Sequence, residues 1–158
     1  MKKLFIVAVL VFGFSSVTFA QTNERAIGLR FGNGVEFSYL HPLTDNQRVQ
    51  FDVGSRGFLY PSFMGIGTYQ WLFPIENGFD WYIGGGAQLG IVSYENSNHA
   101  YAYGLNLGIA GIGGVQYNFD FPLQLAADFR PSWLFFNPGV SRYFGGLYDF
   151  GISARYRF

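Results

Sequence analysis

Few side chains in this sequence combine the residue types and the spacing that catalysis requires. The chain contains two histidines, and one of them, His99, has Ser97 and Glu95 close by in the sequence. A hydrolytic group of this kind needs its nucleophile and its base within hydrogen-bond reach on a preorganised frame. His99 falls in a polar loop, which is a poor frame, and His41 falls in a turn. We therefore predict a protein without catalytic residues.

Binding sites for metals, cofactors and nucleic acids are disfavoured as well. The chain has no cysteine, so the His and Cys clusters that hold zinc are absent. The glycine run at 84–86 precedes no predicted helix, which argues against a phosphate-binding loop. Residues 21–158 contain no lysine and ten acidic residues, and they form no basic patch for nucleic acid. We predict no metal, no cofactor and no nucleic-acid partner.

A set of charged residues is spaced so that its members share one face of the predicted strands. These residues are near balance in sign, and they fall on the same parity as many Gly, Ser, Asn and Gln residues. Charges enclosed in a protein must be paired, and the planar guanidinium group suits such pairing. We predict that they form an ion-paired network in an enclosed interior. The network consists of Arg30, Glu36, Asp52, Asp80, Asp128, Arg130, Asp149, Arg155 and Arg157.

The elements that must position these charges alternate between apolar and polar residues, which is the period of a β-strand with two different faces. The Asn33-Gly34 pair is a tight hairpin signal, the segment 41–47 with Pro42 predicts a turn, and Pro131 opens the longest predicted loop, which ends near Gly145. Eight strands are predicted. They cover approximately residues 25–32, 35–39, 49–54, 63–73, 79–91, 104–119, 123–130 and 148–158.

The direction of the apolar face separates a soluble barrel from a membrane barrel. A soluble barrel exposes its polar face to water and carries many charges there, usually including lysine. Here aromatic residues make up 21% of the chain and charged residues 13%, and the aromatics cluster near strand ends like the girdles of membrane barrels. We predict an all-β fold, an eight-stranded antiparallel up-and-down transmembrane β-barrel. Its lumen should be filled by side chains, because eight strands leave little space inside.

The N-terminal segment has the layout of a secretory signal peptide. Lys2 and Lys3 precede an apolar run of 11 residues, and small residues stand three and one positions before Gln21. The apolar run is shorter than the ~20 residues that a spanning helix needs. We predict a signal peptide at 1–20 and a barrel domain at 21–158, located in the cell outer membrane of a Gram-negative bacterium.

The chain resembles the small outer-membrane β-barrel proteins of Bacteroidetes, within the superfamily of OmpA-like and OmpX-like barrels. This resemblance implies an eight-stranded barrel, mostly without assigned activity, whose short turns face the periplasm and whose longer loops, near 55–62, 93–100 and 131–145, face outside. It also implies that Tyr156 and Phe158 form the C-terminal signal for the barrel-assembly machinery. The segments that carry it are 27–30 (IGLR) with 33–34 (NG), 69–74 (YQWLFP), 81–86 (WYIGGG), 113–117 (GGVQY), 129–132 (FRPS) and 155–158 (RYRF).

The function predicted from these features is a structural or surface-interaction role, with outer-membrane lipid and lipopolysaccharide as partners and an unknown external ligand. The alternatives are a lipid-modifying enzyme and a small-solute channel. One apolar group, Trp133, Phe135 and Phe136, falls in the last predicted loop and could form a surface-binding site. The competing interpretation is that these residues extend the seventh strand into the lipid interface.

Overall fold

The structure is a computed structural model that describes residues 24–56, 62–95, 101–136 and 149–158. The predicted signal peptide at 1–20 lies outside these residues. No helix in the described part of the chain is long and apolar enough to cross a membrane. The strands are β1 (Ala26–Phe31), β2 (Gly34–Thr44), β3 (Gln47–Arg56), β4 (Ser62–Glu76), β5 (Phe79–Glu95), β6 (Tyr101–Asn118), β7 (Leu123–Phe129), β8 (Ser132–Phe136) and β9 (Phe150–Arg157).

Strands β7 and β8 together occupy the position of one strand in the barrel, so the nine strands make a ring of eight. Both pair with β6 in one continuous register from Phe129 opposite Gly113 through Ser132 opposite Ala110 to Leu134 opposite Gly108, and the register shifts beyond that pair. The gap between them falls at Pro131, which has no N–H to donate to the ladder, although its carbonyl oxygen still accepts from Gly111 at 2.8 Å. Because β9 pairs with β1 and β5 pairs with β6, the sheet closes. The predicted eight-stranded antiparallel barrel is confirmed.

The outer wall of the barrel is apolar and the lumen is polar, as predicted. Leu89 is 60% exposed and Phe37 is 48% exposed, whereas Gln50 and Asp52 in the lumen are fully buried. A water-soluble barrel would show the opposite arrangement. Closure of the sheet pairs its backbone N–H and C=O groups, which is what a wall in contact with hydrocarbon requires.

The two ends of the barrel differ in how they connect the strands. At the turn end, short connections at 45–46, 77–78 and 119–122 join the strands. At the loop end, the strands finish at Phe31, Arg56, Glu95 and Phe136. The predicted loop at 93–100 is too long, because residues 93–95 belong to β5; residues 96–100 lie outside the described residues.

The turn predicted at 41–47 is wrong in extent. Strand β2 continues through Pro42 to Thr44, and β3 already begins at Gln47. The pairing of the two strands shifts register between Pro42 and Thr44, and a proline is tolerated at such an irregularity because a regular ladder bond is missing there. His41 therefore lies in a strand opposite Val49, not in a turn.

The tight hairpin predicted at Asn33-Gly34 is present, because β1 and β2 pair as far as Phe31 opposite Val35, but its backbone angles are not those of an Asn-Gly turn. Asn77 and Gly78 have φ values of 50° and 85°, so they form the turn with two positive φ angles that an Asn-Gly pair favours. Neither Asn33 nor Gly34 takes a positive φ, and Gly34 already belongs to β2. Strand β4 accordingly runs to Glu76, beyond its predicted end at Phe73.

The loop predicted to begin at Pro131 is wrong over its first residues. Trp133, Phe135 and Phe136 belong to β8 and are paired with β6 rather than held in a loop. Trp133 and Phe135 are exposed on the outer wall, 52% and 71% respectively. The competing interpretation, an extension of the seventh strand, fits this placement. Residues 137–148 lie outside the described residues.

Candidate functional site in the barrel lumen

The lumen contains a cluster of charges toward the loop end. Each member lies on the inward parity of its strand or next to a strand end, so the alternation that makes the outer wall apolar also directs these side chains inward. We call this group the loop-end cluster. It consists of Arg30, Glu36, Asp52, Arg56, Asp128, Arg130 and Asp149.

Arg30 on β1 contacts three carboxylates from different parts of the barrel. Its Nε and Nη2 atoms donate to Asp128 Oδ1 at 3.0 and 2.5 Å. Its Nη1 atom donates to Glu36 Oε2 and to Asp149 Oδ2, each at 3.1 Å. The guanidinium group therefore joins β1 to β2, to β7 and to the residue that precedes β9.

Arg130 makes the second set of contacts across the lumen. Its Nη1 atom donates to Asp52 Oδ2 at 2.7 Å, and its Nη2 atom donates to Glu36 Oε1 at 2.7 Å and to Asp149 Oδ2 at 3.0 Å. Both Arg130 and Asp52 are fully buried. Since Asp52 lies on β3 and Arg130 follows β7, these bonds cross the interior of the ring.

Asp149 stands where three guanidinium groups meet. It accepts from Arg30, from Arg130 and from Nη2 of Arg56, and its second oxygen accepts from the backbone N–H of Asn33 at 3.1 Å. Burial raises the pKa of the Asp149 carboxyl, but the charges of Arg56, Arg30 and Arg130 outweigh burial and lower this pKa to about 2. The carboxylate is therefore ionised at neutral pH.

Three arginines and four acidic residues make up the loop-end cluster, so its formal charge is −1. Charges in a low-dielectric interior are costly unless geometry and additional hydrogen bonds compensate for lost water. Here the guanidinium groups share carboxylates, and Gln50 adds a bond from its amide nitrogen to Asp52 at 2.7 Å. The cluster thus works as one unit whose members depend on each other.

A second group, the turn-end cluster, fills the other half of the lumen mainly with amides. Arg48 on β3 donates through Nε to Gln70 and through Nη1 to Gln116, both at 2.7 Å. Gln116 in turn donates to Asp80 at 3.0 Å, and Asn118 donates to the same oxygen at 2.8 Å. Arg48 is therefore linked to a carboxylate through an amide and not by direct contact.

Arg155 on β9 belongs to the turn-end cluster as well. It donates to Ser38 Oγ at 2.9 Å, to Ser153 Oγ at 3.0 Å and to Gln124 Oε1 at 3.2 Å. Among the described residues Arg155 and Asp80 form no salt bridge. The expectation that every lumen charge has an oppositely charged partner is wrong for these two, because Ser, Gln and Asn side chains take that place.

Buried aromatic and apolar side chains lie where the two clusters meet. The guanidinium carbon of Arg48 lies 4.7 Å from the centre of the Tyr82 ring, a cation–π distance, and Tyr82 packs with Leu72 and Ile112. Gly114 leaves the space that this ring occupies, because a Cβ there would lie 2.7 Å from the Tyr82 hydroxyl oxygen. Side chains therefore fill the middle of the lumen.

Arg157 lies at the turn end, at the rim of the barrel. It pairs with Glu24 at 3.3 Å and donates to the carbonyl oxygens of Phe119 and Phe121. These bonds tie the last strand to the beginning of the first and to the turn before β7. Arg157 is thus separate from the other predicted network members.

Sequence reasoning missed two arginines of the lumen, Arg48 and Arg56. Both share the parity of Gln50 and Asp52, and both are buried. They were missed because the third strand was predicted to start at Val49 and to end before Ser55, whereas it spans Gln47–Arg56. Continuing the alternation by one step at each end of the segment would have found them.

The other predicted site residues lie outside the lumen. Tyr156 faces the outer wall, paired with Ile27 and Leu123, and Phe158 is exposed, with its N–H bonded to the Arg25 carbonyl at 2.9 Å. Their role as an assembly signal stays a prediction. Of the histidines, His41 contacts the Tyr39 hydroxyl at 3.2 Å, and His99 and Ser97 lie outside the described residues.

No protein-family model matches this chain, and the comparison with curated proteins also finds no match. Solved structures do match its fold. The N-terminal β-barrel domain of OprF from Pseudomonas aeruginosa has a TM-score of 0.66 at 14% identity, covering 85% of this chain and 96% of that one. Neisserial surface protein A has a TM-score of 0.59 at 14% identity, covering 85% and 94%. The attachment invasion locus protein Ail of Yersinia pestis has a TM-score of 0.53 at 16% identity, also covering 85% and 94%.

The chain has the fold of eight-stranded outer-membrane β-barrels. At these identities the likeness establishes the architecture and leaves function to be argued from the lumen and the surface. The fold explains why the polar side chains are enclosed and why the outer wall carries large apolar residues.

Proposed function

We propose that this protein is a non-catalytic barrel of the Gram-negative outer membrane with a structural or surface-interaction role. The observation that carries the proposal is the loop-end cluster. Arg30 and Arg130 reach carboxylates on other strands, and Asp149 receives both of them. Side chains that bond across the lumen hold the barrel together and fill its interior. A filled and rigid barrel suits a support for surface loops better than a channel for solutes.

The channel alternative has less support from this geometry. Eight-stranded barrels have interiors just wide enough for side chains, and in this barrel the interior also contains Tyr82 against Arg48. Steady conductance would require breaking several buried charge-assisted bonds at once. Reconstitution in planar bilayers should therefore yield no long-lived single-channel current. Folding of the protein is checked first by the difference in gel mobility between unboiled and boiled samples. A continuous ohmic current from folded protein would favour the channel.

The enzyme alternative also has little support in the described part of the chain. His41 bonds to Tyr39 on the outer wall, and among the described residues no third group orients its imidazole as a catalytic base requires. Mass analysis of lipid A and phospholipids from a deletion strain and its parent should give the same species. A lipid whose mass changes on deletion, and returns with the restored gene, would identify an enzyme.

The surface role can be separated from the structural role by replacing the connections at the loop end. Segments 57–61, 96–100 and 137–148 are changed to Gly-Ser sequences of equal length in the complemented deletion strain. We expect the variant to restore detergent resistance, since the stem is intact, but not retention of cells on glass or on collagen-coated glass. If deletion alters neither property, the proposed function fails.

The predicted signal peptide at 1–20 and the C-terminal signal at Tyr156 and Phe158 complete this proposal. N-terminal sequencing of the protein from outer membranes should begin at Gln21. Phe158→Ala should lower the amount of folded barrel in the membrane through slower assembly. Phe121→Ala, in the turn before β7, is the control, because Phe121 is also an exposed phenylalanine.

A further inference from the structure

Two buried amide side chains toward the loop end of the lumen belong to neither charged cluster. Gln88 on β5 and Asn106 on β6 are each 3% exposed. Their oxygens, Gln88 Oε1 and Asn106 Oδ1, have no hydrogen-bond partner among the described residues. We call these two side chains the amide pair. A buried acceptor without a partner costs its full desolvation free energy, so a bound donor would stabilise the amide pair.

The strands that carry the amide pair place no other side chain beside it on the inward face. Inward residues recur at every second position of a strand, and the inward neighbours of both amides on their own strands are glycines. These are Gly86 and Gly90 on β5 and Gly104 and Gly108 on β6. Gln88 is opposite Gly108 and Asn106 is opposite Gly90, so the two amides are diagonal neighbours, about 7–8 Å apart at their Cα atoms. Both side chains can therefore reach the same small group.

The surroundings of the amide pair combine apolar side chains with a surplus of negative charge. Met64 and Ile66 on β4 are buried, and Ile66 is directly opposite Gln88 on β5. On its other side Ile66 is opposite Asp52, whose Oδ1 atom is a third buried oxygen without a partner among the described residues. The loop-end cluster, to which Asp52 belongs, has a formal charge of −1, and residues 21–158 contain no lysine that could neutralise it. These oxygens therefore lack both a donor and a balancing positive charge.

We propose that the amide pair binds the ammonium group of a small primary alkylamine. An ammonium group has three N–H donors and no acceptor, which suits buried oxygens that lack donors, and its charge offsets that of the loop-end cluster. Its alkyl part has the chemistry of Met64 and Ile66. A metal ion fits less well, because Ca²⁺ takes about 6–8 oxygen ligands and the described residues contain no group of three acidic, His or Cys side chains placed to hold one. The site lies in the lumen, so it does not depend on whether the loops have a surface role.

The test is a titration of the folded barrel in detergent with n-butylammonium chloride, followed through the NMR signals of its side-chain amides. n-Butanol has the same alkyl chain without the charge, and sodium chloride and calcium chloride are the ionic controls. Gln88→Met removes one amide oxygen at similar volume, and Gln124→Met is the matched control, because Gln124 is a buried lumen amide of the turn-end cluster. Folding of each variant is checked by gel mobility, and Asn106→Leu serves as a second variant if Gln88→Met does not fold.

We expect butylammonium to produce saturable shifts of the Gln88 and Asn106 signals that butanol and the two salts do not produce. The dissociation constant should rise at least about tenfold in Gln88→Met, equivalent to ~1.4 kcal/mol, and change less than about twofold in Gln124→Met. It should fall in Gln88→Glu, because a carboxylate attracts the cation more strongly than an amide does. Equal binding of butanol, the same shifts with calcium chloride, unchanged affinity in Gln88→Met, or no saturable shift in folded wild type would each overturn the proposal.

Discussion

Replacing Arg130 with methionine tests whether the loop-end cluster stabilises the barrel as one unit. The change keeps much of the side-chain volume and removes the donors to Asp52, Glu36 and Asp149, which lie at 2.5–3.3 Å. The cluster would then hold four carboxylates against two arginines, with a formal charge of −2. Removing one partner of a buried ion pair costs about 3–5 kcal/mol, and we expect a loss of that size.

Most of this loss in the free energy of unfolding should come from Asp52, whose buried carboxylate loses its charged partner. Glu36 and Asp149 keep Arg30 and Arg56 as partners, whereas Asp52 keeps only the Gln50 amide among its described contacts. Adding Asp52→Asn to Arg130→Met should therefore recover about half of the loss, because it removes the buried charge that lost its partner. This recovery distinguishes electrostatics from a packing defect.

The assay is urea unfolding in phospholipid vesicles, followed by the mobility difference between folded and boiled protein. Arg25→Met is the control, since Arg25 is exposed before β1 and a surface arginine contributes about 0–1 kcal/mol. A loss below about 1 kcal/mol for Arg130→Met, or no recovery on adding Asp52→Asn, would refute the interdependence of the cluster.

Three further predictions concern the lumen. The pKa of Asp149 is about 2 in the folded barrel and ~3.9 in the unfolded chain. Its ionised carboxylate therefore contributes on the order of 2 kcal/mol to the free energy of unfolding above pH ~4, and this contribution is lost as the pH falls toward 2. Asp149→Asn should flatten the dependence of urea unfolding on pH between these two values. Gly151→Ala places a methyl group against the Arg30 guanidinium and should cost about 1–3 kcal/mol in the same assay, while Gly113→Ala, whose nearest neighbour would be 3.9 Å away, should change stability by less than ~0.5 kcal/mol. Tyr82→Phe should be neutral or stabilising, because the buried hydroxyl has no hydrogen-bond partner among the described residues; a loss above 1 kcal/mol would show that this oxygen is bonded.

The parity of a residue could be predicted from the sequence, whereas its partners could not. Alternation is local, so Arg30, Glu36 and Asp128 could be assigned to the lumen from their neighbours in the chain. The bond from Arg30 to Asp149 spans 119 positions, and that proximity exists only because the ring closes between β1 and β9. For the same reason the partners of Arg155 on other strands, Ser38 and Gln124, could not be foreseen, because the register of the strands decides which side chains lie level with it.

Errors in strand length had a physical origin in single residues. Pro42 and Pro131 both predict an end to a strand, but each lies where the ladder tolerates a missing N–H. Because the predicted turn and loop begin at these prolines, the prediction leaves Arg48 out of the third strand and places β8 in a loop. The weak alternation at the start of the fourth strand has a different cause. Met64 and Ile66 point inward and are buried although they are apolar, so the apolar–polar alternation is lost there.

Glycine has two distinct meanings in this barrel, and parity separates them. On the inward parity, Gly114 and Gly151 stand where a methyl group would meet Tyr82 or Arg30, so the large polar side chains of a narrow lumen depend on them. On the outward parity, a methyl group added at Gly65 or Gly113 would have no neighbouring atom nearer than 3.9 Å, and lumen packing gives no reason for these glycines. Replacement by alanine should therefore cost stability at Gly114 and Gly151 and leave it nearly unchanged at Gly65 and Gly113.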